Sequence, residues 1–300
     1  MKRRRFLTIW AAATAAAATL PGRALPAPVL WNGRGLGAAL SLRLDGADPA
    51  RAALTFARIE AEIARLEALF SLHRDSALTR LNRDGRLAWP SPDMLDILAL
   101  GVRVHRATDG AFDPTVQPLW QALVTGGDPA PARAAIGFGR VVFAPQGIRL
   151  DRGQALTLNG IAQGWAADRI ATLLRAEGYA SALIDMGEIA AVGAPQGRPA
   201  WQVGLADTGA QVALCDRALA TSAPGATRIG AGLGHILGPQ GQPPLWRLVS
   251  VSAPAAGLAD ALSTAFCLMP REAIDATLSA FPEARLHALE PLPRHGIDFG

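Results

Sequence analysis

The sequence predicts an α+β fold, and three observations carry that expectation. Helical and strand-like patterns come in blocks rather than in a regular strand–helix alternation. Short apolar runs broken by turn residues, as around Pro145-Gln146-Gly147, read as hairpins. Half of the 300 residues are apolar, with no low-complexity tract and no internal repeat at the periods typical of solenoids, so one large core is expected.

The elements follow in order. Residues 35–44 alternate as an early strand. Asp48-Pro49 opens a helix to about residue 69, with Ile59, Ile63, Leu66 and Leu69 at helical spacing. Residues 71–82 make a turn and a short helix. A further helix spans 92–108, capped by Ser91 and stopped near Asp109-Gly110, and 126–131 is a loop by composition. After the hairpin of 141–150, a strand at 155–158 leads into a helix over 161–177, closed by Gly178. Strands are expected near 181–184, 201–205, 212–214, 248–252 and 285–288, and helices near 256–268 and 271–279.

Residues 1–27 stand outside that fold as an export signal. Arg3-Arg4-Arg5-Phe6-Leu7 carries a twin-arginine pattern, followed by an apolar run over 6–20. That run is shorter than the ~20 residues a spanning helix needs. Leu25-Pro26-Ala27 offers a cleavage site, and no Cys follows the run for lipid attachment. A periplasmic chain with one domain over 28–300, not itself membrane-spanning, is the expectation. Removing Lys2, Arg3, Arg4, Arg5 and Arg23 lowers the basic count from 29 to 24 against 25 acidic residues, so the formal charge moves from +4 to −1. No basic stripe is left to bind nucleic acid. Two isolated cysteines, Cys215 and Cys267, fit neither a zinc nor a redox motif, and whether they pair stays open.

The chemistry gathers in a few polar turns. Asp260 and Thr264 lie four apart on an expected helix and share a face. Two hard oxygens there suit Mg²⁺ or Ca²⁺. Alone, the pair reads more readily as a first-turn carboxylate on a helix dipole with a back-bonded hydroxyl. Thr157 to Asp168, with Gly160 and Gly164, runs into a helix N-terminus, whose unpaired N–H groups suit phosphate. It is neither a P-loop nor a GxGxxG fingerprint. Asp113 before Pro114 caps a turn or binds a ligand, and His235 sits alone in a turn.

Taken together and in order, these segments resemble the ApbE family of FAD:protein FMN transferases. The blocks are Phe70 to Asn82, Asp109-Gly-Ala-Phe-Asp-Pro-Thr115, Asn159-Gly-Ile-Ala-Gln-Gly-Trp165, Ile184-Asp-Met-Gly187, Ala220-Thr-Ser222, Gly234-His-Ile236 and Asp260-Ala-Leu-Ser-Thr264. The resemblance implies a T-fold-like α+β fold with packed helices and mixed sheets, FAD as substrate, bound Mg²⁺, and transfer of FMN to a Thr or Ser hydroxyl of a partner protein with release of AMP. By position it implies metal ligands at Gly160 (backbone carbonyl), Asp260, Ser263 and Thr264. It implies flavin-side contacts at Leu36, His73, Ala111, Phe112, Asp113, Thr157, Gln163 and Leu237, and catalytic roles for His235 and Asp260. His73 stands where the family commonly has Tyr, Thr157 where it has Asp, and Gln163 where it has Lys or Glu. The Asn-Gly-Ile-Ala-Gln-Gly variant with a twin-arginine signal is similar to the branch associated with nitrous oxide reductase maturation, which implies a membrane-associated electron-transfer protein as acceptor. The departures at His73, Thr157, Gln163 and Gly238 favour the alternative of a passive FAD-binding protein, and a Mg²⁺-dependent FAD pyrophosphatase would need the same metal and pyrophosphate site.

Overall fold

The structure is a computed structural model. It describes residues 7–8, 27–205, 208–229 and 232–292, so all of the expected export signal but residues 7–8 and 27 lies outside the described residues.

A seven-stranded sheet forms the centre. Its strands are β1 (Val29–Gly35), β2 (Ala38–Leu44), β3 (Ala182–Asp185), β4 (Ile189–Val192), β5 (Ala218–Ser222), β6 (Trp246–Ala253) and β7 (Arg285–Pro291). Their spatial order is their chain order, and every neighbouring pair is antiparallel. Six helices fill the long excursion between β2 and β3: α1 (Pro49–Phe70), α2 (Ala77–Asp84), α3 (Pro92–Ala107), α4 (Gln117–Thr125), α5 (Pro129–Ala135) and α6 (Ala162–Ala176). Two more, α7 (Ala256–Phe266) and α8 (Arg271–Ala280), separate β6 from β7. The α+β expectation holds, and blocks of helices sit between meandering strands.

Alternation along the strands sorts the core into two. Ala218, Ala220, Val249, Val251, Leu40, Leu42 and Ile184 pack with the helices. Their neighbours Leu183, Ile189, Ala191 and Leu219 pack instead with Trp201, Val203 and Leu214, which come from the paired strands Trp201–Leu205 and Gln211–Leu214. Because both faces are covered, β3 and β4 are buried at every position, without a polar alternation. On the helical side, α1 is capped by Asp48 and buries Ile59, Ile63, Leu66 and Phe70. Each such side chain contributes about 1.5–3 kcal/mol.

Three expectations are corrected. The early strand is a hairpin: β1 ends at Gly35, Leu36 and Gly37 turn with φ of 51° and 75°, and β2 begins at Ala38. Residues 126–131 are not all loop, since Asp128 caps α5 from Pro129. Residues 155–158 form no ladder. The Asn82 side chain accepts from Leu156 N–H (2.7 Å) and donates to Leu156 O (2.8 Å), so one amide does the work of a partner strand. Strand β4 and helix α4 had no sequence signal distinct from their apolar surroundings. Cys215 is exposed and Cys267 buried, and both are free thiols. Burial pushes the Cys267 thiol far up, so it behaves as an apolar residue. Among the described residues no helix is long and apolar enough to cross a membrane.

Candidate active site at the junction of helices α6 and α7

Neither α6 nor α7 has a side-chain cap of its own: the residues ahead of them are Ile161 and Ala255. Each helix caps the other. Asp260 of α7 accepts the Gly164 N–H through Oδ2 at 3.1 Å, in the first turn of α6. Asp168 of α6 accepts the Ala256 N–H through Oδ1 at 2.7 Å and the Gly257 N–H through Oδ2 at 2.9 Å, in the first turn of α7. Four orphan donors at each helix start need partners, and these carboxylates satisfy three of them. Burial pushes the Asp168 carboxyl up to about 6, against the pull of the two N–H groups and of Arg175. Helix α6 is itself anchored. Asp93 of α3 takes the Trp165 Nε1–H (3.3 Å) and pairs with Arg65 of α1 (2.8 Å) and Arg169 (3.4 Å).

Hard oxygens collect beside that junction. Ser222, at the end of β5, has its Oγ 2.8 Å from Ser263 Oγ and 3.3 Å from Thr264 Oγ1. Ser263, fully buried, also donates to Asp260 O (3.0 Å). A Cβ on Gly160 would stand 2.9 Å from Thr264 Oγ1, so only glycine lets this backbone approach the hydroxyl. The Asp260 carboxylate and the Thr264 hydroxyl, four apart on α7, and the Gly160 backbone beside Thr264 are oxygens of the kind Mg²⁺ takes, and their chemistry fits that ion. Ser263 is engaged by Ser222 and the Asp260 carbonyl and stands deeper. Among the described residues there is no group of three His, Cys, Asp or Glu of the sort a transition metal would use.

The residues expected on the flavin side join this junction from two directions. Gln163, buried next to Gly164, donates Nε2–H to Leu36 O at 3.2 Å and packs against Gly187 in the β3–β4 turn. The Leu36 N–H is taken by Glu67 Oε1 at 3.0 Å, and Glu67 Oε2 pairs with Arg74 at 2.9 Å. Leu36 thus keeps its left-handed conformation because side chains hold both of its peptide groups. From the other side, Thr157 N–H donates to Pro114 O (2.8 Å), tying the approach to α6 onto the turn of Ala111, Phe112 and Asp113. The Asp113 carboxylate caps that turn: it accepts the Thr115 N–H (2.8 Å), the Thr115 hydroxyl and the Phe138 N–H (3.1 Å). Phe112 is buried, and its carbonyl accepts from His105 Nδ1 (2.8 Å). His73 is exposed, with its N–H on Ser71 Oγ (3.1 Å). His235 hangs on Pro224, two residues past Ser222. The Pro224 carbonyl accepts both the His235 N–H (3.2 Å) and Nδ1–H (3.1 Å), which leaves the lone pair of the neutral ring on Nε2. Leu237 follows, half-buried.

The model of the ApbE family matches residues 36–288, almost the whole described chain and every residue of this site. The chain belongs to the ApbE family. A relative from Salmonella typhimurium, named FAD:protein FMN transferase, is 30% identical over 82% of this chain and 80% of its own. One of the same name from Klebsiella pneumoniae is 29% identical over 85% and 82%. The apo crystal structure of the flavinyl transferase ApbE from Pseudomonas stutzeri superposes with a TM-score of 0.72 at 26% identity, covering 87% of this chain and 93% of that one.

Within this ApbE-family chain, sequence reasoning passed over Ser222, Glu67 and Asp168. Ser222 and Asp168 stood inside quoted motifs, but nothing in the spacing tells that they reach another element. The arrangement also assigns Gln163 its work: it holds the Leu36 turn. Gln163→Ala should weaken FAD binding by ~0.5–1.5 kcal/mol, the worth of a neutral hydrogen bond. Fluorescence titration of FAD measures it, and an unchanged dissociation constant would separate the Leu36 turn from the flavin site.

Proposed function

We propose that this chain transfers FMN from FAD to a Thr or Ser hydroxyl of a partner protein and releases AMP, with Mg²⁺ bound at Asp260, Thr264 and the Gly160 carbonyl. The observation that carries the reading is the α6–α7 junction, where a helix N-terminus, a carboxylate and a hydroxyl meet beside Gly160. The positive dipole end of α6 favours a pyrophosphate placed there, although its Gly164 N–H is already taken by Asp260. Bound Mg²⁺ supplies charge neutralisation on the pyrophosphate oxygens. His235 Nε2 takes the proton of the acceptor hydroxyl as its oxygen bonds to the FMN phosphorus and the bond to AMP breaks. Positioning and electrostatics suffice for such a transfer, so a site poor in titratable groups is adequate.

The family membership and the name shared by the relatives support the transferase over a passive FAD-binding protein or an FAD pyrophosphatase. The twin-arginine pattern at Arg3-Arg4-Arg5 supports export to the periplasm and a membrane-associated electron-transfer acceptor. The deciding experiment incubates the protein with FAD, Mg²⁺ and an acceptor bearing a Thr motif. Covalent flavin fluorescence on a denaturing gel is expected. Free FMN and AMP without it would mark a hydrolase, and intact FAD a passive binder.

A further inference from the structure

Helices α6 and α7 touch at two points about one turn apart. Gly164 and Asp168 lie four residues apart on α6, and Ala256 and Asp260 lie four apart on α7. Gly164 meets Asp260, and Asp168 meets Ala256 and Gly257, so the helices run antiparallel and are latched at both ends of the contact. The first latch uses the carboxylate that would also hold the metal. The second uses a carboxylate that no part of the proposed chemistry touches.

We propose that Asp168 is a positioning residue for the metal site: its two-oxygen grip holds the first turn of α7 against α6, and so fixes where Asp260 stands relative to Thr264 and Gly160. This rests on the transferase reading above. Helix α6 is the fixed partner, because Asp93, Arg65 and Trp165 tie it to α1 and α3. Helix α7 begins with Ala255, an extended residue with nothing to cap its own helix. Losing Asp168 leaves α7 hydrogen-bonded through Asp260 to Gly164 and, one turn on, through Ser263 and Thr264 to Ser222 of β5, so the helix stays in place while its first turn loses its own tie to α6. A shift of that first turn moves the Asp260 carboxylate relative to the Thr264 hydroxyl, which Ser222 keeps beside Gly160.

A bare helix cap and a positioning clamp make different predictions, and a second substitution separates them. Asp168→Asn keeps the shape but turns one acceptor into a donor facing an N–H. Its Mg²⁺ dissociation constant, measured by calorimetry on the whole chain, should rise roughly ten- to hundred-fold, as for outer-shell partners of metal ligands. Adding Ala255→Ser to that variant gives α7 a cap of its own. The double variant should recover thermal stability yet keep the weak Mg²⁺ affinity, because a local cap does not tie α7 to α6. It also serves where Asp168→Asn alone folds poorly. Thr55→Val, which loosens α1 against Tyr179 and Glu177, is the control: it should lower Tm without moving Mg²⁺ affinity. If Mg²⁺ affinity returns together with Tm in the double variant, or never falls in Asp168→Asn, Asp168 is a cap and the proposal is overturned. If the unaltered chain binds no Mg²⁺, the metal reading itself falls.

Discussion

Asp260→Ala should bring Mg²⁺-dependent FMN transfer down to background, and it should also cost stability. On the proposed reading the carboxylate has two duties. One is the metal charge that a pyrophosphate needs, and losing a preorganised electrostatic group of that kind costs about 10²–10³ in rate or more. The other is the Gly164 N–H, which Asp260 Oδ2 satisfies at 3.1 Å inside the protein. Alanine leaves that donor buried and unpaired, at roughly 1–3 kcal/mol. A reading of Asp260 from its helix face alone anticipates the first loss and an intact fold; the contact to α6 adds the second. Asp260→Asn divides them. Its carbonyl oxygen still accepts from Gly164, so Tm should stay near that of the parent while transfer disappears. Covalent flavin on the acceptor and thermal denaturation measure the two effects. Wild-type transfer in either variant at ordinary Mg²⁺ would remove Asp260 from the chemistry, and an unchanged Tm in Asp260→Ala would remove it from the cap.

The elements with strong local signals were legible in the sequence. Asp48-Pro49 with Ile59, Ile63 and Leu66 marks α1, and Ser91 marks α3, because a cap and a period of 3.6 are local properties. What the sequence hides are contacts made at a distance. Residues 155–158 look like a strand, yet their backbone is satisfied by the amide of Asn82 and the carbonyl of Pro114. The β1–β2 turn lacks the Asn-Gly signature of a two-residue hairpin, and Leu36 is held there from outside by Glu67 and Gln163. The site divides in the same way. Asp260, Thr264 and Gly160 could be picked out from motif and residue type. Asp168 and Ser222 could not be assigned work, because that work depends on α6, α7 and β5 meeting at one end of the sheet.

That meeting depends on one atom's absence, and Gly164→Ala should be a strongly damaging small substitution at this site. A Cβ at Gly164 would lie 2.3 Å from Ala256 O, 2.5 Å from Ala256 C and 2.7 Å from Gly257 N. All three are backbone atoms at the start of α7, so no side-chain rotation relieves the contact. Helix propensity pushes the other way, since alanine inside a helix is better than glycine by about 1 kcal/mol. Overpacking a tight contact costs about 1–3 kcal/mol and more where backbone must move. The movement also stretches both carboxylate caps, whose donors are expensive to leave unmade, at about 1–3 kcal/mol each. Sterics and lost caps outweigh propensity, and a net loss of roughly 3 kcal/mol is expected, together with loss of Mg²⁺ binding as α7 is pushed off α6. Gly139→Ala is the comparison, because a Cβ there meets nothing within 4 Å and the backbone is not left-handed. It should fall within about 0.5 kcal/mol of the parent. Urea denaturation of the three proteins measures the difference. A Gly164→Ala protein as stable as its parent, or stabilised as propensity alone would have it, would show that the two helices do not approach this closely and that the reciprocal caps are not what holds the site.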